Sequence, residues 1–401
     1  MRQLRHALLA IATFALGALS ACGGGGSDSA VISGVSTGGT GAYAAGPISG
    51  FGSVIVGGIE FDDRNASLLD DDGNPIARSD SELRLGMTVA IDGGALTAAA
   101  VSGGNASAVA TTIRVNSEIV GRVSSVDAAA GTLTVLGQTV RTNAATVFDA
   151  ASGGLLANLL DQVVEVFALP GATSGSMLAT RVQLAPGAAG FKLRGIAASV
   201  DPAAKTLRVG GLTLAYGNAS GTPASLTAGD VLRMRLLLKS SAVGVWSVTS
   251  FGAALPAPAD GRDAEIEGLV GGYVAATARF RVNGVDVDAS KLGSLPSGLA
   301  DGARAEVSGR MSGTTLVASS VKIESEQQAE EREYEAKGSI SAADPAAKTI
   351  VVRGVTINWS TAKFSAGNSA LLTVGRAVEV HGVLAADRST VRATEIDFPG
   401  L

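Results

Sequence analysis

The chain has 401 residues, 46% of them hydrophobic and only 4% aromatic, with 53 glycines and a formal net charge of −5. Mild acidity gives no field that would gather phosphate backbones, which argues against nucleic acid as a partner, and scarce aromatics leave few platforms for stacking. One cysteine and two histidines exclude internal disulfides, thiolate clusters and histidine metal clusters, so the sequence implies no cofactor and a fold held by packing.

Arg2 and Arg5 precede an almost unbroken apolar stretch from Ala7 to Leu19 and then small residues, the three-part pattern of an export signal. Crossing a bilayer takes about 20 consecutive apolar residues, so this shorter run reads as a cleaved signal. Leu19-Ser20-Ala21-Cys22 resembles a bacterial lipobox. The resemblance implies removal of residues 1–21 and acylation of Cys22, with palmitate-like chains tying the protein to the membrane. One acyl chain binds only marginally, and more than one is needed for stable attachment. Gly23 stands where aspartate would favour inner-membrane retention, which points to the outer membrane. The alternative is a secretory signal followed by a chance free thiol. Losing Arg2 and Arg5 takes the charge from −5 to −7, and losing His6 leaves His381 as the single histidine. Residues 22–45 are rich in Gly, Ser, Thr and Ala and read as a flexible tether.

The rest is a repeat. Val56-Gly57-Gly58-Ile59, Val135-Leu136-Gly137-Gln138, Val209-Gly210-Gly211-Leu212, Val282-Asn283-Gly284-Val285 and Val352-Arg353-Gly354-Val355 each place x-Gly between alternating apolar runs, a strong hairpin signal. Gly121, Gly195, Gly268 and Gly338 each precede the turn glycine by sixteen residues, whereas Gly50 precedes Gly58 by eight. Between them, Val200-Asp201-Pro202-Ala203-Ala204-Lys205-Thr206-Leu207 and Ala343-Asp344-Pro345-Ala346-Ala347-Lys348-Thr349-Ile350 read as strand, Asp-Pro turn and strand. Two more alternating strands close each unit, as in Val164 to Val166 followed by Leu178 to Leu184.

This spacing predicts five units, 46–116, 117–187, 190–255, 262–324 and 334–401, with 325–333 a charged linker; the run Glu324 to Glu335 reads as solvated linker first and otherwise as a short exposed helix or strand extension between units four and five. The expected class is all-β: a tandem array, arranged in a row, of about five small OB-like or SH3-like barrels, because closure removes exposed strand edges. The pattern Gly, apolar, x, apolar, Asp, the x-Gly hairpin, Gly-x-x-Val-Glu-Val-x-Gly and a closing Ala-Thr strand is similar to the bacterial domain of unknown function 5666. The resemblance is clearest in units two and five. In unit three Val231-Leu232-Arg233-Met234 replaces the Val-Glu-Val strand, and unit one has a trimmed hairpin. That family implies tandem copies on exported lipoproteins and confers no activity.

Candidate chemistry is sparse. Asp62-Asp63 and Asp70-Asp71-Asp72-Gly73-Asn74 form the densest acidic cluster, and Asp70, Asp72 and Asn74 are the weak metal-ligand candidates. A calcium loop starting at Asp70 fails, with Pro75 at the sixth position and Ser81 at the twelfth, so a surface turn is expected. Glu165, Glu306 and Glu379 recur at one outward strand position. His381 aligns with Asp92, Phe167, Arg235 and Ser308, a variability that suggests an exposed position and no catalytic triad. Trp246, Trp359, Tyr216, Tyr273 and Tyr334 read as core or rim residues. No catalytic residue emerges. The sequence implies an envelope lipoprotein with a binding, adhesive or structural role, its partners the membrane and either envelope polysaccharide or another envelope protein. The alternative is a polysaccharide hydrolase using the unit-one carboxylates.

Overall fold

The computed structural model describes residues 41–77, 82–99, 105–238, 244–252 and 256–400. Cys22, the signal and the tether to residue 40 lie outside the described residues.

The chain is almost wholly β-structure, and its second repeat shows the plan. Strands Ile119–Asp127, Thr132–Val135 and Gln138–Arg141 follow one another antiparallel. The third then pairs in parallel with the last, Ser176–Leu184, which is antiparallel to the fourth, Val163–Pro170, and the fourth returns antiparallel to the first. The five strands therefore close a barrel, leaving no open edge. Ile119, Leu133, Val140, Val164 and Val182 are at most 1% exposed and fill it. The same five-strand circuit recurs in the third, fourth and fifth repeats, which start with the long strands Phe191–Asp201, Asp263–Val274 and Glu333–Asp344. In the first repeat the long strand is broken at Pro47 into Ala42–Pro47 and Gly50–Phe51.

Four of the five x-Gly turns follow the sequence, while in the third Gly210 has positive φ and Gly211 does not. Gly57 and Gly58, Leu136 and Gly137, Asn283 and Gly284, and Arg353 and Gly354 all have positive φ, the hairpin geometry whose twist matches the flanking strands. Asp344 Oδ1 accepts the N–H groups of Ala346 and Ala347, each at 2.9 Å, and closes an Asp-Pro turn. The recurrent glycine in the long strand has a packing cause. There the strand still pairs with the fourth strand, one residue before that pairing ends, and lies close against its own hairpin. A Cβ would lie 2.5 Å from Leu136 Cγ at Gly121 and 2.4 Å from Val209 Cγ1 at Gly195.

The barrels do not stand in a row. Ala42–Pro47 of barrel 1 pairs with Thr88–Gly93 of its own barrel on one side and, in parallel, with Asp263–Val274 of barrel 4 on the other. Gly50 and Phe51 pair with Glu335 and Ala336 of barrel 5, and Ile119 and Val120 with Lys192 and Leu193 across barrels 2 and 3. One apolar core runs through barrels 1 and 5 and takes in Val147 and Phe167 of barrel 2; another joins barrels 2 and 3. A barrel of this size buries only about 60% of its unfolded surface and is marginal alone, and sharing cores supplies the remainder.

This packing corrects two expectations and decides between the alternatives of a third. The tether ends before Ala42, because Ala42–Pro47 is a buried strand at every position. Its small residues suit a strand crowded between two barrels, and the same small residues give it a linker's composition. For the run after Glu324 the structure has the second of the two readings, a short and mostly exposed helix. This helix, Glu326–Glu330, is closed by a capping box between Ser325 and Gln328. Glu324 and Arg332, on either side of it, enter a partly buried charge network with Glu267 and Arg304, at separations of 2.5 to 2.9 Å. Finally, the outer position shared by Asp92, Phe167, Arg235, Ser308 and His381 is not simply exposed. It lies at a strand irregularity in all five barrels, and Phe167 and Ser308 are buried, at 1% and 2% exposure.

Candidate functional site

The acidic turn of barrel 1 forms as expected but serves a different end. Asp70 Oδ1 accepts the N–H groups of Asp72 and Asn74 at 2.9 and 2.8 Å, and its Oδ2 accepts the Asn74 amide at 3.0 Å. This turn carries Asp71 and Asp72 onto barrel 3. Asp71 meets Lys192 Nζ at 2.8 Å and Arg233 at 3.1 Å, while Asp72 meets Arg233 at 2.9 Å and also Arg235. Burial pushes Asp71 up, but Lys192, Arg233 and Arg235 outweigh it and hold its carboxyl below the usual range. Oxygens of Asp70, Asp71 and Asp72 lie within 4.8 Å of one another. The three basic side chains already supply the positive charge that a metal would bring, so Asp71 and Asp72 make a clamp between barrels, held by the turn that Asp70 and Asn74 close, and the cluster is a poor cation site.

The other candidates are also ion-paired or capped. Glu165 accepts from Ser117 at 2.7 Å and from Gln183 at 2.9 Å, Glu306 binds Lys322 at 2.9 Å, and Glu379 binds Lys337 at 2.7 Å. His381 Nδ1 lies 3.2 Å from Glu333. That hydrogen bond, with Glu335 and Glu379 nearby, raises the imidazole to about 9, so it is a cation at neutral pH and unsuited to act as a general base there. Burial raises the neighbouring Glu335 to about 7. Asp62 and Asp63 pair with Arg64 and Arg353. Tyr216 and Tyr334 are core residues, while Trp246, Trp359 and Tyr273 pack at core margins, as expected.

One feature with the shape of a ligand site is a cleft of about 690 Å³ where barrels 2, 3 and 4 meet, within the range of small-molecule sites. Pro170, Gly171 and Ala172 form the barrel 2 side; Ile196 and Val231 line it from barrel 3; the hairpin with Arg281, Asn283 and Asp286 closes it from barrel 4. Glu118 and Arg194 also line it, 2.8 Å apart, with side chains 3% and 12% exposed. Burial raises Glu118 above the ordinary carboxylate range despite Arg194. Its Oε1 accepts from Arg194, whereas its Oε2 is buried without a hydrogen-bond partner among the described residues. Such an orphan is uncommon and costs free energy.

Sequence reading missed Glu118. It falls at the joint between two repeats, outside the recurring strand pattern, and nothing local marks it as buried. The available signal was a Ser-Glu pair placed immediately before the apolar strand beginning at Ile119.

Two segments, residues 120–183 and 337–397, match the family described as domain of unknown function (DUF5666). They coincide with barrels 2 and 5, the repeats in which the resemblance is clearest. No curated protein matches the chain.

Proposed function

We propose that this chain is a lipoprotein of the bacterial cell envelope, acylated at Cys22 and held at the outer membrane, whose five barrels assemble into one binding body. The lipobox supports the anchor. The observation that carries the binding role is the cleft between barrels 2, 3 and 4, which is built once from three different copies of the repeat. A passive spacer has no need of a partly enclosed site, and an adhesive array would carry equivalent sites on each copy. The ligand is envelope polysaccharide or a fragment of it, with another envelope protein as the second class of partner. The hydrolase alternative rested on the acids of barrel 1, which are engaged by Lys192, Arg233 and Arg235, so binding is the better-supported reading.

Two measurements test it. Metabolic labelling with a clickable fatty acid should mark the wild type and not Cys22→Ala; equal labelling of both removes the anchor. Incubated with isolated cell-wall and outer-membrane fractions, the mature protein should co-sediment without releasing soluble products. Product release lost in Asp72→Asn would restore the hydrolase, and neither retention nor release would leave the spacer.

A further inference from the structure

Resting on that binding role, the chemistry of the cleft narrows the ligand. Its charges are matched. Glu118 is paired with Arg194, Arg281 Nε with Asp286 Oδ1 at 2.7 Å, and Arg279 with Asp288 at 2.9 Å. A balanced lining exerts little net pull on an anion or a cation. It does place donors beside acceptors: guanidinium beside carboxylate at the floor, guanidinium beside carboxylate at the mouth, and Asn283 and Thr315 between them. Vicinal hydroxyl groups, each both donor and acceptor, complement such alternation, whereas a purely acceptor or purely donor ligand leaves half of it unused.

The walls fit the same chemistry. Of the lining glycines, Gly284 faces open space, whereas Gly171, Gly195 and Gly271 let the wall pack closely, since a Cβ there would meet Ser176, Val209 and Ala172. The apolar contributions of Ile196, Val231 and Leu269 suit the C–H faces of a ring.

We infer that the cleft between barrels 2, 3 and 4 is a binding site for a short, uncharged saccharide whose hydroxyls meet the paired donors and acceptors of its lining. Phe280 is the single aromatic in the lining, and it is only 3% exposed. Without an open stacking platform the affinity is modest, with a Kd of about 1 mM, equivalent to about −4 kcal/mol.

The test is saturation-transfer NMR on the mature chain with maltose, cellobiose, trehalose and chitobiose, each at about 10 mM, roughly ten times that Kd. At least one should receive saturation. Val231 is 53% exposed and lines the cleft, so Val231→Trp should obstruct the site without disturbing the core and weaken that sugar at least about tenfold. Leu238→Trp, in an apolar groove between barrels 2 and 3, should bind as wild type does. The inference is overturned if none of the four sugars binds the wild type, or if the bound sugar is undiminished in Val231→Trp. Envelope co-sedimentation separates the two levels. If it persists while no sugar binds, the saccharide site is wrong and the binding role stands; if it is lost as well, both fail.

Discussion

Lys192 of barrel 3 and Asp71 of barrel 1 form an ion pair at 2.8 Å with side chains only 8% and 5% exposed, joining positions 121 residues apart in the chain. Breaking a buried pair from one side strands the other charge and costs about 3–5 kcal/mol. Asp71→Ala should therefore lower the denaturation midpoint far more than Asp63→Ala, whose carboxyl meets Arg353 at a looser 3.6 Å. The double variant Asp71→Leu/Lys192→Met should recover much of the loss. Equal midpoints for the two single variants would show that the clamp does not hold barrels 1 and 3 together.

Glu265 presents the opposite case. It is 1% exposed, faces Glu306 and Ser308, and neither carboxylate oxygen finds a hydrogen-bond partner of good geometry among the described residues. Burial, then the Glu306 charge, raises its carboxyl well above 4.5. For an acid raised in the folded state, stability falls as pH climbs through and above 4.5. Glu265→Met should be more stable than wild type at pH 8 by about 1–3 kcal/mol, the cost of an unsatisfied buried polar group, and the gain should shrink towards pH 4. A gain that does not vary with pH would indicate improved packing alone.

The contact between barrels 1 and 5 has its own pH response. Glu335, raised from 4.5 to about 7, destabilises progressively as pH rises across that interval. His381, raised from 6.5 to about 9, stabilises fully below 6.5 and loses that contribution as pH passes 9. In acid the limit comes from Glu267, which Arg304 and Arg332 hold at about 2 against the upward push of burial, so its stabilisation fades as pH drops below 4.5. Maximal stability should fall near pH 5–6. His381→Gln should flatten the alkaline limb between 6.5 and 9, seen as thermal midpoints converging with wild type at pH 10; unchanged slopes would remove the histidine from that account.

The strand glycines give a graded test. Gly195→Ala puts a methyl 2.4 Å from Val209 Cγ1, whereas at Gly338 the nearest atom is Arg353 Cγ at 3.3 Å, part of a long side chain that can move. The first should cost about 1–3 kcal/mol as an overpacked site and the second much less. Similar losses at both, measured by chemical denaturation, would mean that the close approach of the hairpin is not what requires glycine.

The barrel itself was legible because its determinants are local: x-Gly turns at positive φ, the Asp-Pro turn, and valines on the strand period. The assembly was not, because its determinants are distant in sequence and chemically ambiguous. Asp72 and Arg235 each read as a solvated surface charge, and only packing brings them together. Ala42, Ala44 and Ala45 read as linker residues because a strand squeezed between two barrels and a flexible tether favour the same small side chains. Phe167 and His381 occupy equivalent places on their barrels, one against the core shared by barrels 1 and 5 and the other in an ion-pair cluster on barrel 5. Variation across repeats reads as exposure, whereas it reflects barrels facing different neighbours. The cleft was invisible for the same reason, since Glu118, Ile196 and Asn283 come from three repeats.

The central claim, that the barrels form one body and not a string of independent domains, is tested most directly by scanning calorimetry of the mature chain. At about 0.7 kcal/mol per residue the 361 residues from 41 onward should absorb about 250 kcal/mol, and a lone barrel of 65 residues about 45 kcal/mol. Shared cores and pairing between barrels predict a principal transition whose van't Hoff enthalpy is several times the single-barrel value. A van't Hoff enthalpy near about 45 kcal/mol beneath the full calorimetric heat would mean five barrels unfolding independently, and would contradict it.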